Sequence, residues 1–375
     1  VYIDAARIAG SGKVQAVGGG GGHSNAGTGG SGGGGGRIAI HCATCASLAD
    51  ASLGGGGAIW EGGIRLDARG GAAGRTKHVA PTSGPRRGAP GPVFSDAAGV
   101  RVVMLANFDG STASASRDAT VQLPLGVVSI ALDSLLLHSC VAELAAPLFL
   151  RYLRATESAL AVKAELDVSG SVDLQSGTLT LRAPVTATNV SVGATAAIHA
   201  EDDATALDVR TVRFTHAGLA AARTISITAR ELTLVGSGAF DASGRGDAKD
   251  TGAGRGSGGG GASHGGMGGG STMAPYGSLE LPSSRGSGGG SSGGRDGGAG
   301  AGTINLTVSD LLFLDGPATL VGANGLAGED ASSNTGSAGG GGAGGSVYID
   351  AARLAGSGKV QAVGGAGGHT YARTG

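Results

Sequence analysis

Runs of glycine recur along this chain at spaced intervals, and between them lie short segments in which apolar and polar residues alternate. This pairing of two textures constrains the fold more than any other feature. A glycine run brings no side chains to a hydrophobic core, and a single short strand cannot bury its apolar face alone. Segments such as Thr303–Val308, Val347–Ile349 and Arg37–Ile40 have β-favouring composition. Glycine supplies 79 of the 375 residues and aromatic side chains only 3%, whereas glycine is about 7% of an average chain. With few large side chains available, stability must come from small contacts and ladder hydrogen bonds repeated along an axis.

An internal duplication supports repetition directly. Val1–Gly19 reads VYIDAARIAGSGKVQAVGG and Val347–Gly365 reads VYIDAARLAGSGKVQAVGG, so eighteen of nineteen positions agree and only Ile8 is exchanged, for Leu354. The offset of 346 residues predicts a unit of that length repeated in tandem. The chain opens inside a β-type motif and is expected to be a piece of a longer protein.

A shorter motif sits within the unit. Ile225–Gly244, Ile304–Gly325 and Val347–Gly365 each run as an alternating strand, a short polar turn, a second strand, a glycine turn and a third short strand. Alternation turns every second side chain inward, and single glycines mark the corners. The copies begin at 225, 304 and 347, and the next strand after Val1 begins at Ile38. The surplus between copies is low-complexity sequence: Gly244–Ser278, Gly286–Gly302, Gly325–Ser346 and Gly18–Gly36. These predict loops thrown from one edge. Two forms stand open for them, slack linkers or ordered polyproline-II-like strands bonded to neighbours.

The expected fold is therefore all-β, a parallel β-helix (solenoid) with long Gly-rich loops. Three regions are expected: 1–92 and 224–375 with Gly-rich loops, and a Gly-poor stretch 93–223 between them. A helix is an alternative around Ala142–Ala159, although Pro147 interrupts it.

Several segments together resemble a known family. They are Ala262–Gly269, Tyr276–Ser278, Gly286–Gly290, the corner Ala323-Asn324-Gly325, Gly344–Ile349 and Gly32–Ile40. This order is similar to the giant glycine-rich repeat proteins of bacterial and protist cell surfaces, and Gly91–Val102 resembles the strand pair that follows in them. Pro92 departs from the β-branched residue usual there. The resemblance covers about Val1–Leu105 and Ile225–Gly375, and it implies a right-handed parallel β-helix. It also implies surface adhesion or extracellular fibres, including the hair-like flagellar appendages (mastigonemes) of algae. These motifs identify a scaffold, not a reaction.

Chemistry-bearing residues are sparse. His41-Cys42-Ala43-Thr44-Cys45 is the one compact cluster, but a zinc site needs a second ligand pair and c-type haem needs His where Ala46 stands. A structural disulfide is favoured, with Cys42, Cys45 and Cys140 as candidates and one cysteine left over for a cross-link. Asn189-Val190-Ser191 and Asn305-Leu306-Thr307 are N-glycosylation triplets. Glu201-Asp202-Asp203 and Glu329-Asp330 could hold calcium or serve as acid and base, yet single acidic clusters are usually solvated turns. Trp60 is the only tryptophan for stacking a sugar. No cofactor motif is present, since no Gly-Lys-Ser/Thr follows the glycine runs.

A net charge of −1 without a basic stripe gives nucleic-acid binding no support, and no apolar run reaches the ~20 residues of a membrane span. The expectation is a non-catalytic structural repeat of an extracellular filament or cell-surface appendage, self-associating through its ends and glycine loops and carrying glycans. An adhesin stalk and a polysaccharide-active enzyme are the alternatives.

Overall fold

The structure is a computed structural model that describes residues 2–5, 13–16, 38–42, 52–54, 57–60, 64–67, 92–97, 100–106, 120–123, 132–200, 206–331 and 337–370. Among the described residues every regular element is a strand, so the chain is all-β. It forms two compact units, Val1–Thr180 with Thr186–Ser191, and Leu181–Val185 with Val192–Gly375.

The first unit begins with β1 (Tyr2–Ala5), β2 (Lys13–Gln15), β3 (Ile38–Cys42), β4 (Ser52–Gly54), β5 (Gly57–Trp60) and β6 (Ile64–Asp67). β1 pairs with β3 in parallel, and β2 and β4–β6 form a separate small sheet. Then come β7 (Pro92–Ala97), β8 (Val100–Ala106), β9 (Thr120–Leu123), β10 (Ser134–His138), β11 (Val141–Leu144), β12 (Leu148–Thr156), β13 (Ser158–Val162) and β14 (Leu166–Leu181). After an antiparallel β7–β8 hairpin, two parallel ladders advance in step, β8–β10–β12–β14 and β9–β11–β13.

Register explains why these residues form strands. Leu135, Leu153 and Val172 stack in one buried column, and Leu137, Ala155 and Leu174 in another. The residues for which a helix was the alternative, Ala142–Ala159, form the strands β11, β12 and the start of β13. Alternate burial of Val141–Leu144 and Ser158–Val162 has a period of two, and the parallel neighbours reward that period. Corners recur where β10 meets β11 and β12 meets β13: Ser139 and Glu157 take φ 49° and 51°, and the Ser139 hydroxyl donates to the Glu157 carboxylate at 2.8 Å.

The second unit contains the latter half of β15 (Val185–Ala200), then β16 (Ala206–His216), β17 (Leu219–Ala221), β18 (Thr224–Val235), β19 (Ala239–Asp241), β20 (Thr303–Asp315), β21 (Leu320–Gly322), β22 (Ser346–Gly356) and β23 (Lys359–Gln361). Long strands form one parallel ladder, β16–β18–β20–β22, and short strands another, β17–β19–β21–β23. Ile225 pairs with Ile304 and Ile304 with Val347, the positions at which the sequence copies align. Where a polar turn was expected inside each copy, the long strand runs on: β18 breaks its alternation after Ala229, and β20 carries one extra residue after Val308. The extra residue of β20 keeps Leu312 in register with Leu232, and both are buried.

Between these rungs the glycine-rich segments are ordered against one another. Residues 323–331 donate from Gly325, Gly328 and Ala331 to the carbonyls of Val363, Ala366 and His369. The same segment donates from Leu326 and Glu329 to Ala299 and Asp296 on another neighbour. Residues 339–345 donate from Gly339, Gly342 and Gly345 to Glu329, Leu326 and Ala323, and from Gly340 and Ala343 to Gly290 and Ser287. Every third residue addresses the same neighbour, the periodicity of polyproline-II strands. With chains packed on several sides, no direction is left for a side chain: a Cβ on Gly325 would fall on the Gly342 carbonyl oxygen, and one on Gly340 on that of Gly260. Of the two forms open for these runs, the ordered one is found in the described residues of this unit.

Candidate functional site

The most distinctive surface is the last rung of the second unit. Inward columns stay buried through β18 and β20, with Leu232, Leu306 and Leu312 fully enclosed. They continue into β22 and β23, but there Leu354 is 57% exposed and Val360 45%, while Val347 and Ile349 are half-buried. The register partners of β22 all lie in β20, and those of β23 in β21. Among the described residues the other edge of this rung has no register partner. An edge of that kind offers a row of backbone donors and acceptors to another strand.

The polar side chains near this rung are spent on holding it together. The Asn324 side-chain carbonyl accepts from the Val363 amide at 3.0 Å, and Asp330 accepts from the His369 amide at 2.7 Å. Glu329 accepts from the Asp296 amide at 3.1 Å. Asp250 accepts from both the amide and hydroxyl of Ser291, and these bonds hold its carboxyl below the usual range. Arg353 likewise bonds Asp310 and lowers its carboxyl. Thus Glu329 and Asp330 act as caps on glycine strands, while Glu201, Asp202 and Asp203 lie outside the described residues.

A surface cleft elsewhere in the unit is lined by Asp247, Tyr276, Arg285 and Thr303. Asp247 is bonded by Arg285 and lies 3.6 Å from Arg223, and the Tyr276 hydroxyl donates to the Arg285 carbonyl. One carboxylate held between two guanidinium groups is suited to fixing the loop, and among the described residues Asp247 is the one carboxylate that lines the cleft.

One buried titratable group was not foreseen. His216 stacks on Phe240 at 5.1 Å, meets the edge of Phe214, and bonds the Ala239 carbonyl through Nε2 at 3.1 Å. Burial pushes its pKa down to about 4, outweighing the bond to Ala239. The available signal was its place in an alternating run, in register with Leu234. A neutral imidazole there extends an apolar column.

Both glycosylation triplets face outward: Asn189 and Ser191 on β15 and Asn305 and Thr307 on β20 are all exposed. Cys42 is buried and disulfide-bonded, and Cys45 lies outside the described residues. Cys140, a disulfide candidate by sequence, is a fully buried thiol 3.8 Å from the Ser158 hydroxyl. Among the described residues no group of three or more His, Cys, Asp or Glu converges to hold a metal ion, and no helix is long and apolar enough to cross a membrane.

Comparison with protein-family models, with curated proteins and with solved structures finds no match.

Proposed function

We propose that this chain is a non-catalytic structural repeat of an extracellular filament or cell-surface appendage, built as a right-handed parallel β-helix. The observation that carries the reading is the parallel stacking, in register, of the sequence copies that begin at Ile225, Ile304 and Val347. Paired long and short ladders advancing in parallel support the β-helix, and right-handed crossovers are the rule for parallel strands of one sheet. The near-identical segments at 1–19 and 347–365 support tandem repetition. A heterologous contact that repeats without closing generates a fibre. The outward sequons and the disulfide at Cys42 suit an oxidising, glycan-bearing exterior.

The relationship to giant glycine-rich surface proteins belongs to the same proposal. Cryo-electron microscopy of the native assembly tests it. The expected image is a fibre in which rungs advance about 4.8 Å along the axis. A monodisperse compact particle would remove the filament reading, and a rod ending in a distinct globular tip would favour an adhesin stalk instead.

A further inference from the structure

The duplicated segment is seen twice in this structure, in two different pairings. As β22 it lies in parallel beside β20, the rung that precedes it, with Leu306 opposite Ile349. As β1 it lies in parallel beside β3, the rung that follows it, with Ile3 opposite Ile40. Ile40 is buried, and parallel partners in register share a face, so Ile3 and Ile349 both belong to the inward column. Parallel crossovers within a sheet keep one hand. A preceding and a following rung therefore occupy opposite edges of the same strand. β22 shows one edge filled, and β1 shows what fills the other.

We infer that the open edge of β22 is completed by the Ile38–Cys42 strand of a second copy of this sequence. Transferring the β1–β3 register gives Tyr348 opposite Ala39, Ile349 opposite Ile40, Asp350 opposite His41 and Ala351 opposite Cys42. The joint extends the column Ile227–Leu306–Ile349 to Ile40 and covers apolar side chains that the last rung leaves half exposed. It rests on the repeat-unit reading above and adds to it the identity and register of the partner strand.

Within one chain β1 already sits on β3, and a tethered segment competes at an effective concentration of the order of millimolar. The wild-type chain is thus self-capped at micromolar concentration. The test exploits the two copies being separately mutable. In the full-length chain, Ile3→Asp places a carboxylate against buried Ile40 and releases the cap, leaving β22 intact.

Sedimentation velocity should then show a shift from one chain to species of two or more, increasing with concentration. Ile3→Asp/Ile349→Asp should return the chain to wild-type behaviour. Mixing Asp350→Cys chains with Ile3→Asp/His41→Cys chains under oxidation should give a covalent dimer linked at 350 and 41. Association that survives Ile349→Asp, as general aggregation of a misfolded chain would, overturns the inference. So does an Ile3→Asp chain that remains monomeric, or a cross-link found only in a shifted register. The two readings fail separately: native fibres with a monomeric Ile3→Asp chain remove this joint alone, while a formed joint with no native fibre removes the filament alone.

Discussion

Replacing Gly340 by alanine tests whether the glycine segments are a bonded lattice. The new Cβ would land on the Gly260 carbonyl oxygen, so one backbone must retreat. Retreat of Gly260 breaks the bond it accepts from Gly290, and retreat of Gly340 breaks the bonds it makes to Gly290 and accepts from Gly298. At about 1 kcal/mol net per buried backbone bond, the loss is about 1 kcal/mol if Gly260 retreats and about 2 kcal/mol if Gly340 does. Two controls separate this packing cost from the general effect of adding a methyl group. Gly265 has nothing within 4 Å and no left-handed φ, so Gly265→Ala should be neutral or stabilising by up to about 1 kcal/mol. Gly236 is equally open but sits at φ 61°, so Gly236→Ala should cost about 1–2 kcal/mol from strain alone. Urea unfolding followed by circular dichroism would rank the three variants. Equal stability of Gly340→Ala and Gly265→Ala would refute the lattice, since slack glycine loops cannot tell the two positions apart.

Other expectations follow from single residues. His216 binds a proton with pKa about 4 when folded, against 6.5 as the ordinary value. Between these pH values the unfolded chain takes up a proton that the folded chain refuses, so stability is full above pH 7 and declines as pH falls from 6.5 towards 4. The total is about 3 kcal/mol at 1.36 kcal/mol per pKa unit; His216→Phe should flatten that part of the pH–stability curve, and an unchanged slope would show the ring to be solvated. Asn324→Ala removes the acceptor of the Val363 amide, which should cost about 1 kcal/mol and speed amide exchange in residues 361–369 while leaving β16–β18 protected. Expressed in a glycosylating secretory host, the chain should lose one glycan by mass spectrometry with Asn189→Gln and another with Asn305→Gln. Cys140 should resist alkylation in the folded chain and react on unfolding; rapid labelling under native conditions would contradict its burial.

How much of this was legible in the sequence depends on how local each cause is. The alternation in Thr303–Val308 is a local pattern, and it correctly gave a strand with Ile304, Leu306 and Val308 inward. Aligning Ile225, Ile304 and Val347 as copies gave their register partners, because stacked rungs put like side chains over like. The helix alternative over Ala142–Ala159 failed since short apolar runs fit either period until neighbours are known, and the parallel partners of β11–β13 decide for two. The glycine runs were ambiguous for a deeper reason. Gly340 bonds Gly290 and Gly298, more than forty residues away, and a run of identical residues carries no mark of which neighbour each one meets. Asn324 was recognised as part of a corner, but its capping of Val363 depends on a segment 39 residues distant.

The threefold hydrogen-bond phase of the glycine segments also governs how their lengths can change over evolution. Each residue turns the strand by about 120°, so adding or deleting three residues leaves every remaining donor aimed at its former acceptor. A change of one or two residues rotates the rest of the strand away from its neighbours and aims alanine methyls, such as that of Ala343, at positions only glycine can fill. Length variation among related segments should therefore proceed in steps of three, a rule independent of which apolar residues occupy the β-strands.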